Sequence, residues 1–212
     1  KKVFHCYQSN EVDVFLEDYV FYSKLLINLY EIEGNKEYLN KSIKLMNDVW
    51  NLFYDEKSQL LQKNQIKEND LFVNPIDLND NNIPNGNSIY LILCNKLYAI
   101  TNDKNWYNKI EILQKSFHQI LNSNFSQMFS FIKALDICNE TISFTFYGDP
   151  KKTEEIKYKL LKDFSDRAIF VYKNQENEDP CVVICKNQTC SNKISGINEI
   201  NAYLKAHNIT HD

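Results

Sequence analysis

Residues 13–34 have the sequence DVFLEDYVFYSKLLINLYEIEG, in which apolar side chains point in nearly every direction around a helix. Asp13 is a favourable N-cap residue, and Gly34 is typical of the position just after a helix ends. The segment therefore predicts an inner helix that runs from about Asp13 to Glu33 and is buried almost all round.

The segment after this helix has a different pattern. Between Lys36 and Phe53, apolar residues recur at alternating spacings of four and three and form a single stripe, which is typical of an outer helix. The alternation then repeats, because residues 88–100 are apolar all round, residues 106–120 carry one stripe, and residues 127–138 are again mostly apolar. Such alternation predicts stacked helical hairpins in two layers, as in an α/α toroid or solenoid.

The hydrophobic period changes after Thr141. The elements predicted there are strands at 142–146, 168–172 and 181–185 and helices at 151–164 and 197–206. The chain is thus predicted to be mainly α, with two parts. Residues 1–139 are helical hairpins of a partial α/α toroid that is incomplete at its N-terminal side, and residues 140–212 are a small α/β tail.

Composition and charge exclude several classes of function. The chain has 212 residues and a net charge of -4 with both signs interspersed, so no surface for nucleic acid is predicted. No apolar run approaches the roughly 18 residues of a membrane span. Phosphate-binding loops and the G-x-S-x-G and H-E-x-x-H motifs do not occur. We expect a cytoplasmic protein with no cofactor and no membrane or nucleic-acid partner.

Three stretches resemble one protein family. They are residues 15–20 (FLEDYV), residues 83–88 (IPNGNS) with Asp80 just before them, and residues 185–190 (CKNQTC). In order and rough spacing they are similar to the end of the thioredoxin-domain-containing family typified by spermatogenesis-associated protein twenty and its bacterial relatives. The resemblance spans essentially the whole chain.

The resemblance implies a longer protein, with a thioredoxin-like domain followed by a six-hairpin α/α toroid similar to those of N-acylglucosamine epimerases and six-hairpin glycosidases. Three inner and two outer helices cannot close a ring, so we expect this chain to be the last part of one. The missing portion or a second copy would cover its open faces. The family usually has Ser at Asn85 and Pro near Ser191, and no Cys-x-x-Cys occurs here.

Glu17, Asp18 and Asp80 are the candidate catalytic acids. Asp18 lies on an apolar stripe of its helix, where a carboxylate needs a partner. Either it faces a cavity and binds a sugar hydroxyl, or it accepts hydrogen bonds from a neighbouring helix start, with the positive end of its own helix stabilising the charge. The structural role is the commoner of the two.

A second set of candidates would bind substrate. Residues 84–88 precede an inner helix, with Asn87 or Ser88 as the N-cap and Gly86 allowing a close backbone approach. A capping turn explains this pattern, and the alternative is that free N–H groups there bind substrate oxygens. The candidate substrate-binding residues are Tyr19, Asn85, Gly86, Asn87 and Ser88.

These candidates are expected to share one rim. Inner helices of a two-layered toroid run in the same sense, so their N-termini lie at the same end. We expect Glu17 or Asp18 to accept hydrogen bonds from substrate hydroxyls there, Asn87 to supply an amide, and the long segment 54–87 to lie over them.

Cys185 and Cys190 flank the turn of a predicted hairpin and are the candidate redox pair, with Cα atoms expected within about 7 Å. With His207 and His211 they imitate a zinc pattern, but the spacing from Cys190 to His207 is too long, so no metal is predicted. A disulfide and two free thiols remain as alternatives. Two free thiols in a small core are favoured. Cys6, Cys94 and Cys138 are scattered through helical or apolar stretches, which indicates a reducing compartment.

Two functions compete at this point. The first is a sugar-binding or carbohydrate-active toroid, an epimerase-like or glycosidase-like enzyme. The second is a non-catalytic scaffold or redox adaptor for an N-terminal thioredoxin-like domain. A homo-oligomer is compatible with both. Aromatic and carboxylate residues around an open cavity would favour the first function, and an apolar plug would favour the second.

Overall fold

The structure is a computed structural model that describes residues 3, 14–64, 75–149, 151–164, 167–173, 179–187 and 189–209, apart from the side chains of 119 and 121–124. Within these residues the protein is mainly helical with a small sheet. None of the described helices is long and apolar enough to cross a membrane. The chain divides into two compact units, Lys1–Cys138 and Asn139–Asp212.

The first unit is built mainly from helices. They are α1 (Leu16–Glu33), α2 (Lys36–Phe53), α3 (Gly86–Thr101), α4 (Lys104–Asn124) and α5 (Phe129–Asn139), with a 3-10 helix at Phe125–Gln127. Two short antiparallel strands, β1 (Tyr54–Asp55) and β2 (Leu60–Leu61), come directly after α2. The sequence predicts an irregular segment there, so this hairpin is an addition to the prediction.

Helix α1 begins later than predicted and ends where predicted. Its N-cap is Phe15, and Asp13 lies outside the described residues. Phe15 has no side-chain acceptor, and its own N–H instead donates to Asp18 Oδ2 at 3.0 Å. At the other end, Gly34 has a φ of 73° and donates its N–H to the Tyr30 carbonyl at 2.7 Å, which closes the helix.

The prediction that α1 is buried almost all round is wrong. Tyr22, Leu25 and Ile32 are 45%, 52% and 45% exposed. At 100° per residue these three side chains fall on one side of the helix, opposite Leu16 and Ile27, which are buried. We call Tyr22, Leu25 and Ile32 the open stripe of α1.

Successive helices pack in pairs, with α1 against α2 and α3 against α4, and α1 also packs against α3. Small side chains allow α1 and α2 to approach, since Ser23 Oγ lies 3.1 Å from Ser42 Oγ in the core. An ion pair joins α1 to α3, with Lys96 Nζ 2.6 Å from Glu31 Oε2. Helices α1 to α4 therefore form two neighbouring hairpins, α1–α2 and α3–α4.

The second unit is the predicted small α/β tail. It contains β3 (Ile142–Tyr147), α6 (Glu154–Phe164), β4 (Ala168–Lys173), β5 (Cys181–Lys186), β6 (Thr189–Cys190) and α7 (Ile197–Ala206). The strand order is β4-β3-β5-β6, with β3 parallel to β4 and antiparallel to β5. Strand β3 is thus internal, which explains why Phe144 and Phe146 are both buried.

Candidate functional site

The first turns of α1 and α3 lie against each other. A Cβ added to Gly86 would come within 2.7 Å of Leu16 Cγ and 3.2 Å of Glu17 Oε1. Only glycine permits that approach without a shift of Leu16. The two helix starts therefore lie at the same end of the unit, as the alternating hairpins lead one to expect. We call this end the rim, and it holds Leu16, Glu17 and Gly86.

Glu17 is the predicted acid whose carboxyl lies at the rim. The side chain is half-buried, and burial raises its pKa above the ordinary value. Asp77 adds to the shift, whereas backbone N–H groups and the ammonium of Lys63 oppose it. Lys63 also pairs with Asp77, at 3.7 Å between Nζ and Oδ2. Glu17 thus takes up a proton more readily than an exposed glutamate.

Asp18 and Tyr19 both contribute to the fold, Asp18 by a hydrogen bond and Tyr19 by packing in the core. Asp18 accepts the N–H of Phe15 at the start of its own helix, a structural role, whereas the prediction was a bond from a neighbouring helix start. Tyr19 is only 2% exposed, and its ring packs edge-on against Phe53 at 5.7 Å between centroids. Burial raises the pKa of the Tyr19 hydroxyl. Tyr19 is a core residue of the α1–α2 hairpin.

The N-cap of α3 is Asn85, and the prediction of Asn87 or Ser88 is wrong. Asn85 Oδ1 accepts the N–H of Ser88 at 2.9 Å and its hydroxyl at 3.0 Å. Asn and Ser are both common N-caps, so residue type alone does not choose among these positions. All three side chains are buried.

Asn87 binds the backbone of β2 in the core. Its Oδ1 accepts the N–H of Leu61 at 2.8 Å, and its Nδ2 donates to the Leu61 carbonyl at 2.8 Å. Asn87 and Leu61 are both fully buried. The Asn87 amide thus forms the two backbone hydrogen bonds with β2 that a neighbouring strand would otherwise form. This corrects the prediction that Asn87 supplies its amide to a substrate.

Asp80 joins the segment before α3 to the start of α5. Ser130 donates its backbone N–H to Oδ2 at 2.6 Å and its hydroxyl to Oδ1, and Asn85 donates its N–H to Oδ1 at 3.0 Å. Burial alone would raise the pKa of Asp80, but these hydrogen bonds outweigh it and hold the pKa below its ordinary value. Asp80 is therefore an ionised acceptor with a structural role. We call its hydrogen bonds with Ser130 and Asn85 the Asp80 clasp.

Two further polar residues lie in the chain beside the rim and were not singled out from the sequence. Gln62 Oε1 and Asn64 Oδ1 are buried and have no hydrogen-bond partner among the described residues. They flank Lys63, whose carbonyl accepts the N–H of Leu16 at 3.0 Å. Only the polar composition of the segment signalled them. Such oxygens are able to accept hydroxyl donors.

Cys185 and Cys190 form a disulfide, so the preference for free thiols is wrong. They lie directly opposite each other on β5 and β6, with a Cα–Cα distance of 4.0 Å, and their predicted adjacency is confirmed. The bonded sulfurs are not available to a metal. His207 Nδ1 lies 2.9 Å from the Tyr203 carbonyl, and His211 lies outside the described residues. No group of three or more His, Cys, Asp or Glu that could hold a metal occurs in the described part.

Comparison with known proteins adds no assignment to this geometry. No protein-family model matches the chain, and no curated protein matches it.

Proposed function

We propose that the first unit is an arc of an α/α toroid whose rim binds carbohydrate. The open stripe supports the arc, because it lies on the side of α1 opposite the contact with α3. On α5, Phe129 and Ile132 are 67% and 41% exposed. Large apolar surfaces rarely face water in a finished assembly, so further helices on both sides would complete the packing.

The observation that carries the binding proposal is the carboxyl of Glu17. It is half-buried at the rim, has a raised pKa, and lies near the cation of Lys63. A carbohydrate presents hydroxyl groups that donate to carboxylate and amide oxygens and accept from ammonium groups. Gln62 and Asn64, on either side of Lys63, each have a buried side-chain oxygen for which the described part of the chain offers no partner. Carbohydrate as the ligand class follows from the resemblance to sugar-processing toroids.

We limit the proposal to binding, because two of the three predicted acids, Asp18 and Asp80, accept hydrogen bonds that hold the fold together. Glycoside hydrolysis ordinarily uses two carboxyl groups on either side of the scissile bond. Asp80 already accepts hydrogen bonds from Ser130 and Asn85, and Asp18 accepts one from Phe15. Glu17, which accepts backbone N–H groups and has a raised pKa, is the one of the three predicted acids that we assign to the ligand.

Glu17→Gln is expected to weaken carbohydrate binding by about 10-fold to 100-fold, because a hydrogen bond to a charged group contributes roughly 1.5 to 3 kcal/mol. The measurement is a thermal-shift screen of mono- and oligosaccharides on the full-length protein, followed by calorimetric titration of the best ligand. Glu33→Gln is the matched control, since Glu33 is exposed at the other end of α1. An unchanged affinity in Glu17→Gln would refute the assignment of Glu17.

The ligand-free stability of the same variant gives an independent check. Because the folded-state pKa of Glu17 is raised, the cost of burying its charge is present above that pKa and disappears as the pH falls below the ordinary carboxyl range, near 4.3. Glu17→Gln should therefore be more stable than wild type at pH 7 and equal to it near pH 4. Lower stability at pH 7 would make Glu17 a structural ion partner.

A non-catalytic scaffold or redox adaptor for a thioredoxin-like domain is the second candidate. It is favoured by the internal hydrogen bonds of Asp80, Asn85, Asn87 and Ser88, which leave these motif residues holding the fold together. A screen without any carbohydrate ligand, combined with a stabilised Glu17→Gln, would select this candidate.

A further inference from the structure

We propose that the Cys185–Cys190 disulfide is a reversible exchange site for dithiols, and that the second unit stays folded in both redox states. This inference concerns the α/β unit and is independent of carbohydrate binding at the rim.

The bond lies where another molecule has access to it. Strand β6 is the last strand of the sheet order β4-β3-β5-β6, and Thr189 and Cys190 are both exposed. Cys185 is half-buried on β5. An attacking thiolate must approach a disulfide sulfur directly, so access is a condition for exchange. Cys190 is therefore the sulfur that an incoming thiol reaches.

Hydrogen bonds other than the disulfide hold the hairpin in register. Ser191 donates its N–H to the Ile184 carbonyl at 2.8 Å, and its hydroxyl oxygen accepts the N–H of Ile184 at 3.0 Å. Farther along, Val182 and Ile194 exchange two backbone hydrogen bonds of 2.9 Å each. The cysteines are separated by only 5 positions, so their bond removes less chain entropy than one that closes a long loop. The fold does not depend on the covalent link.

The other described cysteines differ from Cys190 in exposure, since none of them is exposed and Cys138 is half-buried. Cys94 and Cys181 are buried. Burial raises the pKa of Cys138 to about 12 and that of Cys94 still higher. Since the thiolate is the reactive form, these groups do not compete for the exchange. After reduction, Cys185 and Cys190 face each other across the hairpin and re-form the same bond on oxidation.

The exchange balances with a dithiol as the reductant. One thiolate of the dithiol attacks Cys190 Sγ, the Cys185–Cys190 bond breaks, and Cys185 leaves as a thiolate that takes up a proton. The second thiolate of the dithiol then attacks the first dithiol sulfur, which is bonded to Cys190 Sγ in the mixed disulfide. This attack breaks the bond to Cys190 and leaves the dithiol with an internal disulfide. Cys190 is released as a thiol. Two electrons pass to the protein, and the dithiol is oxidised.

The test is reduction of the full chain by dithiothreitol at neutral pH without denaturant, with alkylation and peptide mass spectrometry over time. A synthetic oxidised peptide covering residues 182–194, which leaves out Cys181, is the matched control for a fully accessible Cys185–Cys190 bond. We expect Cys185 and Cys190 to be labelled together, at a rate within about 100-fold of the peptide, while Cys94, Cys138 and Cys181 stay unlabelled. A slower rate, or labelling of all five at one rate, would mean that reduction requires unfolding and would overturn the proposal.

A double variant tests the second half of the proposal. Cys185→Ser with Cys190→Ser should keep the far-ultraviolet circular dichroism of the oxidised chain, with a melting temperature lower by less than about 5 °C. Treatment of the reduced wild type with glutathione disulfide should restore the bond without loss of protein. Loss of the folded second unit in the double variant would make the disulfide a structural one and contradict the inference.

Discussion

Asn87→Ala is expected to lower the free energy of unfolding by about 3 kcal/mol, because it leaves two buried backbone groups of Leu61 without a partner. The N–H of Leu61 donates to Asn87 Oδ1 and the carbonyl of Leu61 accepts from Asn87 Nδ2, each at 2.8 Å. Both residues are fully buried. Each buried polar group that loses its partner costs roughly 1 to 3 kcal/mol. Urea denaturation of the full chain measures the loss.

The control for this substitution is Asn28→Ala, since Asn28 is exposed on α1. It should change the unfolding free energy by no more than about 0.5 kcal/mol. If Asn87→Ala behaved like Asn28→Ala, β2 would not depend on the amide, and residue 87 would be open again to a role with a ligand.

Asp80→Asn is expected to lower the free energy of unfolding by about 2 to 3 kcal/mol at pH 7, since an amide cannot accept all the hydrogen bonds of the carboxylate. The pKa of Asp80 is lowered in the folded state, so its contribution is present above the ordinary carboxyl pKa, near 3.9, and is lost as the pH falls through the folded-state value. The difference between variant and wild type should therefore narrow below about pH 4.

Asp136→Asn is the matched control, because Asp136 is exposed on the same helix that the Asp80 clasp holds. Denaturation curves at pH 7 and pH 3.5 would measure both variants. A stability loss in Asp80→Asn that is the same at both pH values would contradict the assignment of an ionised structural acceptor.

The elements that could be predicted from the sequence are those whose signals are local. Helix α2 has the predicted bounds, because Asn35 caps its start and one apolar stripe continues to Phe53. The start of α3 was misplaced because Asn85, Asn87 and Ser88 are all good caps. Which of them caps the helix depends on Asp80 and Leu61, and periodicity carries no information about those contacts.

In the candidate site, too, contacts between residues distant in the chain could not be predicted from the sequence. The sequence placed the acids near helix starts, but the role of Asp80 depends on Ser130, which is 50 positions away in the chain. The spacing of Cys185 and Cys190 predicted that they meet across a hairpin, whereas their oxidation state is not encoded in spacing. Gln62 and Asn64 escaped notice because polar residues in a loop are ordinarily solvated.

The Asp80 clasp also bears on the order in which the first unit assembles. The helices of each hairpin are joined by two-residue turns, whereas the clasp closes a loop of 50 residues. Local contacts form early because closing a long loop costs more chain entropy. The clasp should therefore form after the folding transition state, and Asp80→Asn should speed unfolding while leaving the refolding rate nearly unchanged. Stopped-flow refolding would show this, and an equally slowed refolding rate would place the clasp in the folding nucleus. In the expected order, α5 docks last, onto hairpins that have already formed.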